Sequence, residues 1–266
     1  MNKKIAIIGG GNLGSAIAEG LIQSGFVHPG QILITKRNIK TLAKLEEKGV
    51  LVSNDNAEAV KFADLVILAI KPFQVSDVLS SLQLLFDENR HVLVSVVTGV
   101  SISDIHEALN KKISTVRAMP NTAIAIQESM TCISARDVSS QQLEYVQELF
   151  NHLGKVVVIE EKLMNAATVL AACGTAYALR YVRANIQGGI EIGFDASTAN
   201  LIAAQTVKGA VELLLQKHTH PEQEIDKVTT PKGCTIAGLN EMEHQGFSSS
   251  LIKGVIASYD KISAES

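Results

Sequence analysis

Short apolar runs separated by stretches of helical spacing fill the chain up to about residue 160, and long helical stretches with apolar residues on nearly every face fill the remainder. In the first part, residues 5–8, 32–34, 50–52, 65–70, 92–96, 114–118, 131–133 and 155–158 are rich in Val, Ile and Leu and read as strands. Between them the apolar spacing is that of helices. Strands that alternate with helices predict a parallel sheet covered on both faces, a doubly wound α/β architecture. After Glu160 and Glu161 the β-rich runs nearly vanish, and helices are expected over 164–172, 176–192, 196–216, 235–245 and 248–262. The expected division is therefore an α/β domain over 1–160 and an all-α domain over 161–266. Helices that are apolar nearly all round need more burial than a domain of this size provides, and a homodimer that exchanges helices would supply it.

The run Ile5-Ala6-Ile7-Ile8-Gly9-Gly10-Gly11-Asn12-Leu13-Gly14 adds chemistry to this frame. It delivers a G-x-G-x-x-G turn from a strand into a helix whose apolar positions include Leu13, Ala16, Ile17 and Leu21. Gly9 permits a sharp turn, Gly11 leaves room for a pyrophosphate against the backbone, and Gly14 lets the helix lie close to the strand. The phosphates would meet the free N–H groups and positive end of the helix. The first domain is thus expected to be a Rossmann-type dinucleotide-binding unit. At the end of the second strand, an NAD-preferring site would carry an acid about 20 residues past the glycines. This chain has Thr35, Lys36 and Arg37, which favour the 2′-phosphate of NADP, although two such cations also read as solvated loop charges. The fourth strand runs into Ala69-Ile70-Lys71-Pro72, where the proline stops it at the edge that faces the cofactor in this architecture.

Composition narrows the setting. Among 266 residues, 46% are hydrophobic and 19% charged, which is too apolar for disorder, and a net charge of −3 gives no footprint for nucleic acid. Cys132, Cys173 and Cys234 are odd in number and form no C-x-x-C pair, so neither a disulfide framework nor a thiolate metal site is expected. His218 and His220 lack ligands at metal spacing and read as a loop ahead of Pro221. The apolar run 5–8 is too short for a leader, and 201–215 is interrupted by Gln205, Lys208 and Glu212, so no membrane partner is expected and the cytoplasm is the expected compartment.

The glycine turn, VILAIKP (66–72), SVVTGV (95–100), VRAMPNT (116–122) and VTTPKGCTIAGL (228–239) together resemble the pyrroline-5-carboxylate reductase family, in order and spacing, over almost the whole chain. The resemblance implies reduction of the C=N bond of 1-pyrroline-5-carboxylate to L-proline, the last step of proline biosynthesis. NAD(P)H is implied as donor, with NADPH preferred on the reading of Thr35, Lys36 and Arg37 and NADH as the alternative, in a homodimer with interleaved helices of a kind that often assembles into a decamer. It places Gly9, Gly11, Asn12, Leu13, Thr35, Lys36, Arg37, Asn56, Ala69, Ile70, Lys71, Pro72, Thr98 and Gly99 against the cofactor. By local reading, Asn56 is also the cap of the helix it precedes.

The late motif reads as a tight turn, Thr230-Pro231-Lys232-Gly233, feeding a helix that starts near Cys234 and Thr235. Its free N–H groups form a cradle for a carboxylate, with Thr230, Lys232, Gly233 and Cys234 as the substrate-binding residues. Thr235 matches the family position whose hydroxyl contacts the ring nitrogen. It also reads as a simple helix cap, and as an unassisted acid it is too weak to supply a proton alone. Several positions depart from the family pattern. Ala171-Ala172-Cys173-Gly174-Thr175-Ala176-Tyr177 stands for Ser-Gly-Ser-Gly-Pro-Ala-Tyr, Lys232 and Cys234 stand where Gly and Thr are usual, Ala123 stands for a Pro, Ser129 lies near an expected Gly, and His218 occupies an acidic position. A reductase of another cyclic imine, or a catalytically silent NADP-binding paralogue, is the alternative. A β-hydroxyacid dehydrogenase is disfavoured because residues 163–207 contain no lysine to act as its acid and base.

Overall fold

The computed structural model describes residues 3–264. Eight strands form one sheet: β1 (Ile5–Ile8), β2 (Ile32–Thr35), β3 (Leu51–Ser53), β4 (Leu65–Leu68), β5 (Val92–Ser95), β6 (Ser114–Met119), β7 (Ser129–Arg136) and β8 (Gly154–Val158). The order is β3-β2-β1-β4-β5-β6-β7-β8, so the chain reverses its direction of travel between β1 and β4. All neighbours are parallel except β6 and β7. The first half of the chain is therefore the expected doubly wound unit, with one correction. Between β6 and β7 only a 3-10 turn at Thr122–Ile126 intervenes, and a parallel crossover needs about a dozen residues or more, so β7 returns antiparallel.

The helices of this part are α1 (Asn12–Gln23), α2 (Ala43–Glu47), α3 (Asn56–Phe62), α4 (Val75–Leu82), α5 (Ile102–Leu109), α6 (Ser140–Asn151) and α7 (Met164–Ala167). Both faces of the sheet are covered, which explains why its strands are apolar without alternation. On one face Ile5 and Ile7 pack with Ile17 and Leu21 of α1 and Leu149 and Phe150 of α6. On the other, Ala6 and Ile8 pack with Val60 of α3, Leu79 of α4 and Ile105 of α5.

Strand β4 stops at Leu68, short of residue 70; Ala69 still donates its N–H to the Ile8 carbonyl (2.8 Å), and its own carbonyl lies against Gly9. The helix expected over 164–172 changes at Thr168 into a π-helical segment, Thr168–Cys173. Two side chains accompany that change: Asn121 donates from Nδ2 to the Ala171 carbonyl (3.2 Å), and the Thr168 hydroxyl donates to the Met164 carbonyl (2.8 Å). Glu161 ties the start of this helical run to the sheet. Its carboxylate accepts from the Ile102 N–H at the start of α5 (2.7 Å), from Arg117 Nη1 of β6 (3.3 Å) and from Arg136 Nη2 of β7 (2.9 Å). Arg117 is buried, and Glu161 is the acid that pairs with its charge among the described residues.

Contacts gather the chain into two compact units, one running through Cys173 and resuming at Tyr259, the other Gly174–Ser258. The remaining helices are α8 (Gly174–Glu191), α9 (Ala196–Lys217), α10 (Pro221–Lys227), α11 (Cys234–His244) and α12 (Phe247–Ala264). Helix α10 was not anticipated from the sequence. His220, read as loop, is its N-cap, with Nδ1 accepting the Glu222 N–H, and Pro221 opens the first turn. Within the second unit α8 packs on α9 through Ile186, Ala199 and Ala203, with Gly189 admitting the Ala199 methyl. The Tyr177 and Ser258 hydroxyls share a 2.6 Å hydrogen bond, and the Tyr181 and Phe247 rings meet edge to face. This core is small. Leu179, Leu201, Leu215 and Ile252 are each more than half exposed.

His91, at the foot of β5, is buried as a neutral ring. Its Nδ1 accepts the Asp87 N–H (2.8 Å), which forces the proton onto Nε2, facing the Val60 carbonyl (3.1 Å). Desolvation, followed by the neighbouring Arg90 charge, lowers its pKa from the ordinary 6.5. The unfolded chain therefore takes up the proton first, so this contribution to stability is complete above pH 6.5 and is lost as pH falls below it. The Tm of the native chain is expected to fall more steeply between about pH 7.5 and about pH 5.5 than that of His91→Gln, as measured by thermal melts across that range.

Candidate active site

At the carboxyl ends of β1, β2 and β4, where the strand order reverses, lies a cleft of about 800 Å3. Gly9, Gly11, Asn12, Leu13, Thr35, Lys36, Arg37, Asn56, Ala69, Ile70 and Lys71 line it, all expected from the sequence. Pro72, Thr98 and Gly99 are outside its wall. Pro72 opens a 3-10 turn beside Lys71, and Thr98 and Gly99 follow β5, where the Thr98 hydroxyl points at Met119 Sδ (3.9 Å).

The glycine turn is built by close approach. Gly9 has φ +112°, and a Cβ there would strike the Ala69 carbonyl, while a Cβ on Gly14 would strike the carbonyl of Gly9. The N–H groups of Gly9 and Gly10 both donate to the Thr35 carbonyl (3.2 and 2.7 Å), locking the turn to the end of β2. Gly11 differs: a Cβ there would meet nothing within 4 Å, so it faces open cleft. Helix α1 begins at this residue with no capping side chain and no acid in its first turn. Its free N–H groups and positive dipole end fit an anion such as a pyrophosphate.

Beyond the turn, Lys36 and Arg37 form a basic rim, and no Asp or Glu lines the cleft among the described residues. Thr35 is buried at 2% exposure, and its hydroxyl donates to Asn56 Oδ1 at 2.6 Å instead of reaching into the cleft. Asn56 is not the cap of α3, as the local reading had it. Asp55 is, through a 2.8 Å bond from the Ala57 N–H, leaving Asn56 as the first helical residue with its side chain on the cleft. Asn38, Asn54, Gln74 and Val96 also line the cleft and were missed. The signal was available for Asn38 and Asn54, which are polar residues in the loops after β2 and β3.

The second unit carries the other predicted residues on one turn. The Gly233 N–H donates to the Thr230 carbonyl (3.0 Å), Lys232 is held at φ +59°, and α11 starts at Cys234 with Gly233 as N-cap. This helix start also lacks a capping side chain and an acidic residue in its first turn. Thr235 is its second residue and so is not the cap; its half-buried hydroxyl has no hydrogen-bond partner among the described residues. Of the cysteines, Cys132 is buried, which pushes its thiol pKa up. Among the described residues, no helix is long and apolar enough to cross a membrane, and no three His, Cys, Asp or Glu side chains gather to hold a metal.

Residues 161–265 match the family model described as pyrroline-5-carboxylate reductase dimerisation, and residues 4–99 match the one described as NADP oxidoreductase, coenzyme F420-dependent. The chain is 43% identical to pyrroline-5-carboxylate reductase 2 of Dictyostelium discoideum, over 98% of its own length and 93% of the relative's. The chain belongs to the pyrroline-5-carboxylate reductase family. It is also 48% identical to pyrroline-5-carboxylate reductase 1 of the same organism, where it spans 97% of itself and about half (49%) of the relative. Among solved structures, a pyrroline-5-carboxylate reductase from Coxiella burnetii superposes with a TM-score of 0.94 at 29% identity, covering 100% of this chain and 99% of that one. The Plasmodium falciparum pyrroline carboxylate reductase with NADP bound superposes at 0.90 and 26% identity, covering 99% and 98%. Membership of the pyrroline-5-carboxylate reductase family makes the chain an oxidoreductase with an NADP-binding Rossmann unit and an oligomerising helical region.

Because Gly11 has an ordinary extended backbone (φ −80°, ψ −167°) and open space beside it, Gly11→Ala should fold normally. The added methyl occupies the phosphate cradle. NADPH affinity measured by fluorescence titration is expected to fall about tenfold or more, with Tm unchanged.

Proposed function

We propose that the chain reduces the C=N bond of 1-pyrroline-5-carboxylate to give L-proline, with NADPH as preferred donor and NADH as the alternative. The observation that carries this reading is the pair of bare, acid-free helix starts, α1 and α11, each suited to an anion. The first holds the dinucleotide pyrophosphate, with Lys36 and Arg37 on the 2′-phosphate. The second holds the substrate carboxylate through the N–H groups from Gly233 onward, with Thr230 and Cys234 shaping the turn and Lys232 adding charge.

The bound cofactor supplies a hydride to the ring carbon of the C=N bond. The π electrons then pass to nitrogen, which must carry a proton to end as a secondary amine. The Thr235 hydroxyl, which has no hydrogen-bond partner among the described residues, hydrogen-bonds the ring nitrogen and orients it; it does not act as the acid, because an unassisted alcohol is far too weak. The protonated ring is the form that accepts the hydride fastest, so carboxylate capture and a polar partner at nitrogen are the whole of the positioning task.

The functional division that goes with this reading is dinucleotide binding over 1–160 and substrate binding with dimerisation over 161–266. Supporting dimerisation is the small core of the second unit beneath many exposed apolar side chains, a pattern that calls for burial against another copy. The assembly proposed is a homodimer with further association to a decamer, in the cytoplasm.

Purified protein mixed with NADPH and 1-pyrroline-5-carboxylate is expected to consume NADPH, and to do so faster than with NADH or with the six-membered piperideine carboxylate. Cofactor binding without turnover of either imine would leave the silent paralogue. Thr235→Val should lower kcat by about a hundredfold, with Thr235→Ser retaining most of it, as read by steady-state absorbance. For Lys232→Gly, relief of the left-handed backbone is expected to raise stability by about 1 kcal/mol in urea titration, while loss of the charge raises KM for the imino acid several-fold. An unchanged KM removes Lys232 from the carboxylate site.

A further inference from the structure

We infer that Thr35 is a positioning residue for cofactor discrimination: its hydroxyl orients the Asn56 carboxamide so that the NH2 group, and not the carbonyl, faces the ribose-phosphate end of the cleft. The inference rests on the NADPH reading above and deepens it.

Thr35 is 2% exposed, so its hydroxyl has little access to a ligand in the cleft that the residue helps to line. Its single hydroxyl proton goes to Asn56 Oδ1 at 2.6 Å. A carboxamide is planar and its two polar atoms diverge, so with Oδ1 held by Thr35, Nδ2 is directed elsewhere with both protons free. It has no hydrogen-bond partner among the described residues, and Asn56 lines the cleft. The hydroxyl is also well placed to hold this orientation, because the Thr35 backbone is fixed independently: its carbonyl accepts from both Gly9 and Gly10, and the next residue, Lys36, donates its N–H to the Ser53 carbonyl (3.0 Å). One residue thereby sets both the phosphate turn and the direction of the amide.

The surroundings give this direction its chemical meaning. Lys36 and Arg37 beside Asn56 are donors only, and the two acids nearest in sequence are already engaged, Asp55 on the Ala57 N–H and Glu58 on the Ser53 hydroxyl. A ribose 2′-hydroxyl both donates and accepts, and its proton needs an acceptor such as a carboxylate; a 2′-phosphate offers acceptors alone. An Asn56 amide turned NH2-outward complements the phosphate and leaves a ribose hydroxyl without an acceptor at that point.

The test measures binding rather than turnover. The native protein, Thr35→Val and Thr35→Ser are titrated with NADPH and with NADH by cofactor fluorescence, and their melting points are compared with 2′,5′-ADP and with 5′-AMP. Val matches Thr in shape at a buried position, so it removes the hydroxyl with little else. The expected result is that the NADH-to-NADPH Kd ratio falls about tenfold in Thr35→Val and stays near native in Thr35→Ser, with the 2′,5′-ADP shift shrinking in parallel. Equal weakening of both cofactors, or an unchanged ratio, overturns the assignment. Should Thr35→Val fail to fold, Asn56→Asp gives an independent reading: placing a carboxylate oxygen where the NH2 faces the cleft is expected to weaken NADPH at least tenfold more than NADH, and an equal effect on both overturns the assignment. A native protein that prefers neither NADPH nor 2′,5′-ADP over the unphosphorylated partners overturns the NADPH reading itself, a result separate from either variant's.

Discussion

The close contact between the start of α1 and the end of β1 is the constraint from which the rest of the first unit follows. Gly14 sits against the carbonyl of Gly9, and Gly9 in turn against the carbonyl of Ala69, at distances that no side chain would permit. That contact brings the bare helix end to the point where the sheet reverses its order, between β1 and β4. Strand β4 ends at Leu68, and Ala69, Ile70 and Lys71 just beyond it line the cleft. The bonds from Gly9 and Gly10 to the Thr35 carbonyl carry the same constraint sideways to β2, so phosphate cradle and ribose rim are parts of one hydrogen-bonded frame. Anion recognition by such a frame costs no side-chain ordering, because the donors are backbone groups already fixed by the packing.

The helical unit obeys a different physics. Its buried core is little more than Ile186, Ala199 and Ala203, yet its helices display Leu179, Leu201, Leu215 and Ile252 to solvent in the single chain. Apolar burial contributes roughly 25 cal/mol per Å2 of surface removed from water, so covering such surfaces with another copy would stabilise these helices. The match of residues 161–265 to a dimerisation family fits that need.

Features set by local chemistry were legible in the residues. The strand runs, the glycine turn, the bare helix start at Gly233 and the basic rim after β2 all depend on neighbours in sequence and are where the spacing put them. What escaped depended on partners far along the chain. The π-helical turn at Thr168–Cys173 coincides with a bond from Asn121, fifty residues earlier, and helical spacing alone cannot register it. The antiparallel return of β7 follows from a connection too short to cross over, which was visible in the length between motifs but was overridden by the parallel pattern of the other strands. Helix α10 does carry ordinary start signals, Pro221 and Glu222 after His220, but at seven residues it is too short for helical spacing to set it apart from a loop. Asp55 and Asn56 compete for the same capping role by composition, and only the geometry of the Thr35 hydroxyl separates them.

Recognition by backbone also explains how the substrate turn tolerates unusual side chains. The turn from Thr230 to Gly233 requires a left-handed residue at position 232, where glycine would be free of strain, and the chain carries lysine there instead. A non-glycine residue in that region costs of order 1 kcal/mol, yet the N–H groups of α11 remain aimed as before, since the Gly233 to Thr230 bond closes the turn whichever side chain occupies position 232. Cys234, likewise, is exposed at the first helical position, where its side chain supplies none of the donors. Under the proposed function, variation at 232 and 234 adjusts charge and shape around a carboxylate cradle made of backbone, while Thr235, one residue further into α11 and with no hydrogen-bond partner for its hydroxyl among the described residues, is left to meet the ring.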